Sequence, residues 1–253
     1  MTPGKLYLVP APLDFGCTHL TALEDVMPLG TLRVAARLQH WVCENAKTTR
    51  AYLKRVDALV PLAQPLQALQ IQELPREVHK KGDHGGNFDA KHLLAAAMQG
   101  HDVGLVSEAG MPAVADPGSS VVRAAHALGL EVVVLVGPVS LLLALAASGL
   151  NGQNFAFVGY VPQAEPERGQ KIRELEALAL KTGQTQIFIE TPYRNASLLQ
   201  GLLQILQQNT HLAVSSGMTL ATTRTVSDTV KGWRQKNKAG LVSDQPAVFS
   251  IGR

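Results

Sequence analysis

The chain predicts an α/β fold made of two α/β domains, and three observations carry that expectation. Short apolar runs alternate with amphipathic helical patterns through the first half. These runs end in turns of glycine, alanine and proline, most plainly in Val103–Gly118, where Val-Gly-Leu-Val breaks into small residues, prolines and two acids. The pattern then changes at Gly137-Pro138, which sets the domains at 1–137 and 138–253. At 253 residues, the chain has room for a core in each.

Taken in order, Lys5–Val9 reads as a short strand closed by Pro10-Ala11-Pro12. Leu20–Met27 and Leu32–His40 read as helix and strand material, and Trp41–Cys43 as an apolar strand end before Glu44. Thr48–Asp57 is a helix with Tyr52, Leu53 and Val56 on one face. Pro61–Pro75 carries no clear period, and the polar, glycine-rich His79–Asn87 reads as a loop. Lys91–Gln99 is a helix ended by Gly100, Val103–Val106 a strand, Ser119–Leu128 a helix ended by Gly129, and Glu131–Val136 a strand. This half predicts a mostly parallel sheet with helices on both faces.

Val132–Leu150 is almost unbroken apolar sequence of near-transmembrane length. Gly137-Pro138 divides it into a β-branched run and a leucine–alanine run, which predicts a buried strand, a turn and a buried helix rather than a membrane span. Beyond it, Phe155–Val158, Gln186–Glu190, Leu212–Ser215 and Ala247–Ile251 read as strands. Gln170–Leu180 and Ala196–Gln207 read as helices, and Pro162–Gly169 as a loop.

Composition narrows the function. A hydrophobic fraction of 46% with 17% charged residues fits a compact soluble protein, and the net charge of +3 permits an anionic partner without requiring one. Two cysteines, Cys17 and Cys43, suggest neither a metal site nor a disulfide framework and fit a reducing cytoplasm. The amino terminus has no signal-peptide layout. No G-x-G-x-x-G, Walker A, G-x-S-x-G or H-E-x-x-H sequence occurs. No lysine or arginine lies between Val103 and Ser120. That argues against a phosphate cradle and for a ligand held by backbone groups, including one that carries positive charge.

The strand-end turns together resemble the tetrapyrrole methylase-like (class III) S-adenosylmethionine-dependent methyltransferases. The nearest branch methylates a cytidine 2′-hydroxyl of small-subunit rRNA. The matching segments are Leu6–Pro12, Val106–Pro112 (Val-Ser-Asp-Ala-Gly-Thr-Pro in the branch), Asp116-Pro117-Gly118, Gly137-Pro138, the run ending at Leu150, Phe157–Pro162 and Ile187–Arg194. The resemblance implies a cofactor cleft between the domains, a homodimer, and S-adenosyl-L-methionine held largely by main-chain groups. Carried over, Pro10, Ser107, Ala109, Gly110, Met111, Val114, Asp116, Val139 and Ser140 are its contacts. Ala109 and Gly110 also fit a plain tight turn, and Asp116 equally fits a cap on the helix that starts near Ser119.

For the acceptor, Glu44 takes the branch's glutamate position and is the candidate general base, although a carboxylate at a helix entry has the same appearance. Asn45, Lys47, Arg50, His84 and Asn87 are the candidate substrate contacts. Against this, Lys47, Arg50, Lys54 and Arg55 fit a solvated basic helix face, and His84 and Asn87 an ordinary loop. Lys80 and Lys81 would extend a basic rim for rRNA. The branch's Glu-Asp-Thr-Arg reads Glu44-Asn45-Ala46-Lys47 here, and Gly217-Met218 replace its Arg-Glu before Thr219. Those departures leave two further readings: a tetrapyrrole or other small-molecule acceptor, and a cofactor-binding protein without catalysis.

Overall fold

The computed structural model describes residues 2–14, 17, 19–81, 83, 88–235 and 245–253, the side chains of 79–81 excepted. The chain divides into two compact units, Met1–Pro138 and Val139–Arg253. Among the described residues, no helix is long and apolar enough to cross a membrane.

The first unit runs β1 (Leu6–Leu8), α1 (Leu23–Val26), α2 (Leu29–Arg37), β2 (His40–Cys43), α3 (Ala46–Asp57), β3 (Gln70–Glu73), α4 (Arg76–Lys81), α5 (Ala95–Met98), β4 (Val103–Val106), α6 (Ser119–Ala127) and β5 (Val132–Val134). Its sheet has the order β3-β2-β4-β1-β5, and every neighbouring pair is parallel. Strand side chains alternate between two cores, as a parallel sheet covered on both faces requires. Tyr7, Val9, Trp41, Cys43 and Val106 pack with α2 and α3 through Leu32, Ala35, Tyr52, Leu53 and Val56. Leu6, Leu8, Val42, Val103 and Leu105 pack with Val121, Ala124 and Ala125 of α6 on the other face. Gly104 in β4 makes room for the Trp41 ring, which a Cβ would meet at 2.7 Å.

The second unit runs α7 (Ser140–Ser148), β6 (Phe155–Tyr160), α8 (Glu165–Thr182), β7 (Thr185–Glu190), α9 (Asn195–Ile205), β8 (His211–Ser216), β9 (Arg224–Thr229), α10 (Val230–Gln235) and β10 (Ala247–Gly252). Its sheet is mixed, β6-β7-β10-β8-β9, with β6–β7 parallel and the other pairs antiparallel. Phe188 and Phe249 stack at 5.9 Å in its core, beside Trp233, whose indole N–H donates to the Leu212 carbonyl.

Several expectations are corrected. Leu32–His40 is not strand up to its last residue: α2 runs to Arg37, because Leu32, Ala35 and Ala36 face the core at helical spacing. The helix α4 occupies the start of the segment read as a loop from His79, and α8 begins at Glu165 inside the expected Pro162–Gly169 loop. Proline in a first helical turn forfeits no hydrogen bond, so Pro166 does not break α8. Val132–Leu150 is not buried throughout: β5 is an edge strand with Val134 62% exposed, and Leu142 and Leu143 on α7 are also exposed. The unassigned edge strands β3 and β9 are mostly polar and contain no fully buried residue, which leaves no apolar run to read.

The cap of α6 is Asp83, not Asp116. Its carboxylate accepts from the Gly118 N–H (2.9 Å), the Ser120 N–H (2.8 Å) and the Ser119 and Ser120 hydroxyls (2.7 and 2.6 Å). Burial pushes the Asp83 pKa up, but these hydrogen bonds outweigh it and hold it down at about 2. A depressed carboxylate contributes stability that is present above its unfolded pKa of 3.8 and is lost as pH falls toward 2. Asp83→Ala is therefore expected to lower the unfolding free energy by about 2 kcal/mol at pH 7. Urea melts of both proteins should converge as the pH drops below 3; a gap that stays constant across that range would contradict the assignment.

Candidate cofactor and acceptor site

The segments after β1, β2, β4 and β5 all leave the carboxyl edge of the first unit's sheet, where open α/β sheets form their ligand crevices. The turns after β1 and β4 are tied by a reciprocal backbone pair: the Ala11 N–H donates to the Gly110 carbonyl (2.9 Å) and the Gly110 N–H to the Ala11 carbonyl (3.0 Å). The turn after β5 presses on the same place, since a Cβ on Gly137 would lie 2.3 Å from Pro10 Cγ. The Tyr52 hydroxyl donates to the Pro10 carbonyl (3.3 Å), and that of Thr31 to the Val136 carbonyl (2.6 Å).

The segment from Ser107 to Gly118 is conformationally unusual. Gly110 has φ +74°, and two alanines, Ala113 and Ala115, hold φ +64° and +65°, a region that disfavours any residue with a Cβ. Such strain collects where a fold fixes a functional loop. Ala109 and Met111 are half-buried and Val114 is exposed. Ser107 is 5% exposed, and its Oγ has no hydrogen-bond partner among the described residues.

Three carboxylates gather beside this loop. Glu44 follows β2 and its Oε1 accepts the Glu108 N–H (3.3 Å); the Thr48 hydroxyl donates to Glu108 Oε1 (3.3 Å). Burial first, then Glu44 and Glu108, push the Asp116 pKa up to about 7. No cation lies between Val103 and Ser120 to offset them. Between α3 and the turns after β1 and β4 is an open cavity of about 180 Å³, lined in part by Ala11, Pro12, Thr48, Tyr52, Ser107 and Glu108.

The remaining expected residues separate. Asn45 caps α3, its Oδ1 accepting the N–H groups of Lys47 (2.9 Å) and Thr48 (3.3 Å), so that oxygen already has a structural task. Lys47 and Arg50 are exposed on α3. Arg55 does not belong to a solvated face: it donates to Asp14 (2.8 Å) and to the Thr21 carbonyl (2.6 Å). Val139 and Ser140 belong to the second unit, where the Val139 carbonyl accepts from the first turn of α7. His84 and Asn87 lie outside the described residues, as do the side chains of Lys80 and Lys81. Sequence reading gave Glu108 no role of its own and passed over Thr48; only the fold brings them to one cavity.

Residues 24–232 match the family model of the tetrapyrrole (corrin/porphyrin) methylases. The chain belongs to that family. It is 30% identical over 216 residues, or 85% of its length, to the protein named ribosomal RNA small subunit methyltransferase I of Halalkalibacterium halodurans. It is 36% identical over 203 residues, or 80% of its length, to the protein of that name in Thermotoga maritima. The chain covers 65% of the first relative and 78% of the second, but only 42% of the Vibrio cholerae one. Among solved structures, uroporphyrin-III C-methyltransferase from Thermus thermophilus (TM-score 0.53, 20% identity, 98% of this chain and 94% of that one) shares the two-domain α/β fold. The methyltransferase CobJ does so too (TM-score 0.59, 16% identity, 99% of this chain and 94% of that one). This is a family of S-adenosylmethionine-dependent methyltransferases.

The Asp116 geometry has a measurable signature. A carboxylate with a raised pKa contributes stability that is complete below its unfolded value of 3.8 and is lost as pH rises through about 7. Asp116→Asn removes the burden of ionisation, so its advantage over the wild type in urea melts should be larger at pH 8 than at pH 5, by about 2 kcal/mol. An equal difference at both values would show that Asp116 does not titrate there.

Proposed function

We propose that the chain transfers a methyl group from S-adenosylmethionine to a ribose 2′-hydroxyl of small-subunit rRNA, as a cytoplasmic homodimer. The observation that carries this reading is the strained, backbone-lined turn from Ser107 to Gly118, flanked by carboxylates and free of cations, in a family member whose relatives bear an rRNA methyltransferase name.

The residues present fit the donor. Glycine at Gly110 and Gly137 keeps the three turns in contact, and small residues leave main-chain groups of Pro10, Ser107, Ala109, Gly110, Met111 and Val114 to hold a ligand without a phosphate-type cation. Val139 and Ser140 are its proposed contacts in the second unit. The carboxylates of Glu44, Glu108 and Asp116 favour a ligand bearing positive charge. A bound donor supplies a methyl group already activated by its sulfonium, so the protein's tasks are alignment and removal of one proton.

Glu44 is the proposed base. It lies near Asp116, which burial and its neighbours Glu44 and Glu108 keep protonated up to about pH 7. The Glu108 N–H fixes Glu44 at the end of β2. Lys47 and Arg50 on α3, with His84 and Asn87, are the proposed contacts to RNA; Asn45 orders the helix that carries the first two.

Tritiated methyl donor, incubated with small ribosomal subunits lacking the modification, should label rRNA at a ribose hydroxyl. Glu44→Gln should slow the transfer by about 10²- to 10⁴-fold with donor saturating. Label appearing only in a small-molecule fraction would replace the acceptor, and donor binding without any transfer would favour a non-catalytic role. Sedimentation of the purified protein reads the dimer.

A further inference from the structure

The chain has four tyrosines, and the fold buries two of them, Tyr7 and Tyr52. The other two, Tyr160 and Tyr193, are 57% and 75% exposed and stand at the same edge of the second unit's sheet. Tyr160 ends β6, and Tyr193 lies in the short turn Pro192–Arg194 that follows β7, the parallel neighbour of β6. One exposed ring is ordinary on a protein surface. These two are adjacent, and the fold aims one and clasps the other.

Between Phe157 and Tyr160, β6 advances three residues while its partner β7 advances two, from Ile187 to Ile189, and Gly159 takes φ +75° there. A bulge of this kind re-aims the side chain beside it. At Tyr193 the Arg194 guanidinium lies 5.0 Å from the ring centre, and its Nη1 donates to the Tyr193 hydroxyl (3.1 Å). Arg194 is itself held by the buried Glu190 carboxylate, which accepts from Nε (2.9 Å) and Nη2 (2.7 Å) and from the Thr191 N–H (2.7 Å). Glu190 first, and more weakly Tyr193 and Tyr160, raise the Arg194 pKa, which sets both phenols around one guanidinium. A ring fixed in water has little freedom left to lose, so a flat ligand can stack on it at small entropic cost.

Charge narrows the ligand. Arg194 is paired with Glu190, and Glu165 and Glu167 stand in the first turn of α8, so this edge is no dense basic patch for duplex phosphates. Arg224 supplies an exposed cation on the same row: register leads from Glu190 to Ala247, Ser216 and Arg224, three strand spacings or about 14 Å away. Exposed rings with a cation along the row match a strand that offers unpaired bases between phosphates. Single-stranded RNA is such a ligand, and its bases stack on aromatic side chains with little regard to sequence.

We propose that Tyr160 and Tyr193 form a stacking platform for unpaired bases of an RNA strand, with Arg224 on a phosphate of that strand. The proposal rests on the rRNA reading above and adds to it a surface of the second unit that grips the substrate whichever nucleotide is methylated.

Two fluorescein-labelled hexamers test it by anisotropy on the full chain: a mixed-sequence single-stranded RNA, and the same ribose–phosphate strand without bases. Their charge is equal, so a difference between them reads the bases. Wild type should bind the base-bearing hexamer about tenfold or more tightly, and Tyr193→Ala or Tyr160→Ala should each weaken that hexamer about tenfold, the range of one lost stack. Neither should change the abasic hexamer or the melting temperature, since both rings are exposed, and Tyr193→Phe, which keeps the ring, should retain the preference. Arg224→Gln should instead weaken both hexamers alike and flatten the dependence of log K on log salt by about 0.7. No binding of the base-bearing hexamer, equal binding of the two by wild type, or a preference that survives both alanine variants would overturn the platform. Methyl transfer to small ribosomal subunits separates this from the rRNA reading. Base preference without transfer would sink the enzyme reading and leave the platform standing, whereas transfer without base preference would do the opposite.

Discussion

Two backbone hydrogen bonds between Ala11 and Gly110 are the constraint on which the site depends. β1 and β4 are parallel neighbours, and beyond their ends this single antiparallel bridge clamps the two turns together. A clamp made of main chain leaves little volume for side chains. Gly110 must take a left-handed conformation there, and Pro10 needs a neighbour without a Cβ at Gly137. In the same turn the Ser107 Oγ has no partner among the described residues, and Glu108 meets Glu44 and Thr48. The composition of these turns is thus a packing requirement before it is a binding feature.

The clamp also orders the charges. Glu44, Glu108 and Asp116 come from the ends of two strands and the strained loop between β4 and α6, so the sheet itself forces like charges together. One of them answers by holding its proton to about pH 7. A loop that carries these carboxylates and no cation of its own fits the proposed donor, whose sulfonium would supply positive charge. Asp83 keeps the arrangement steady from below. By fixing the first turn of α6, it anchors the far end of the loop at Gly118.

What was legible in the sequence follows from burial. β4 is covered on both faces and shows as an unbroken apolar run; β1 is similar, and glycines at Gly100 and Gly129 mark the ends of helices before these strands' neighbours. The family was legible because each of its turns is a short run of consecutive residues. Edge strands such as β3 and β9 escaped, since a solvated face carries no pattern. Asp83 escaped because its partners lie 35 to 37 residues away, and Asp116, beside the helix, offered the simpler local cap. Arg55 likewise sat in a basic run, and nothing in that run announces Asp14, 41 residues earlier. The cavity wall is the extreme case: Pro12, Thr48 and Ser107 come from three separate segments, and only the sheet order brings them together.

The central claim is that the clamped turns after β1 and β4 hold the methyl donor through their backbone. Calorimetric titration of S-adenosylmethionine into the wild-type protein and into Gly110→Val tests it most directly, because a β-branched residue opposes the left-handed turn without changing any charge. The account predicts saturable heat with the wild type and none with the variant, both proteins still melting cooperatively. Absence of binding by the wild type, or equal binding by Gly110→Val, would contradict it.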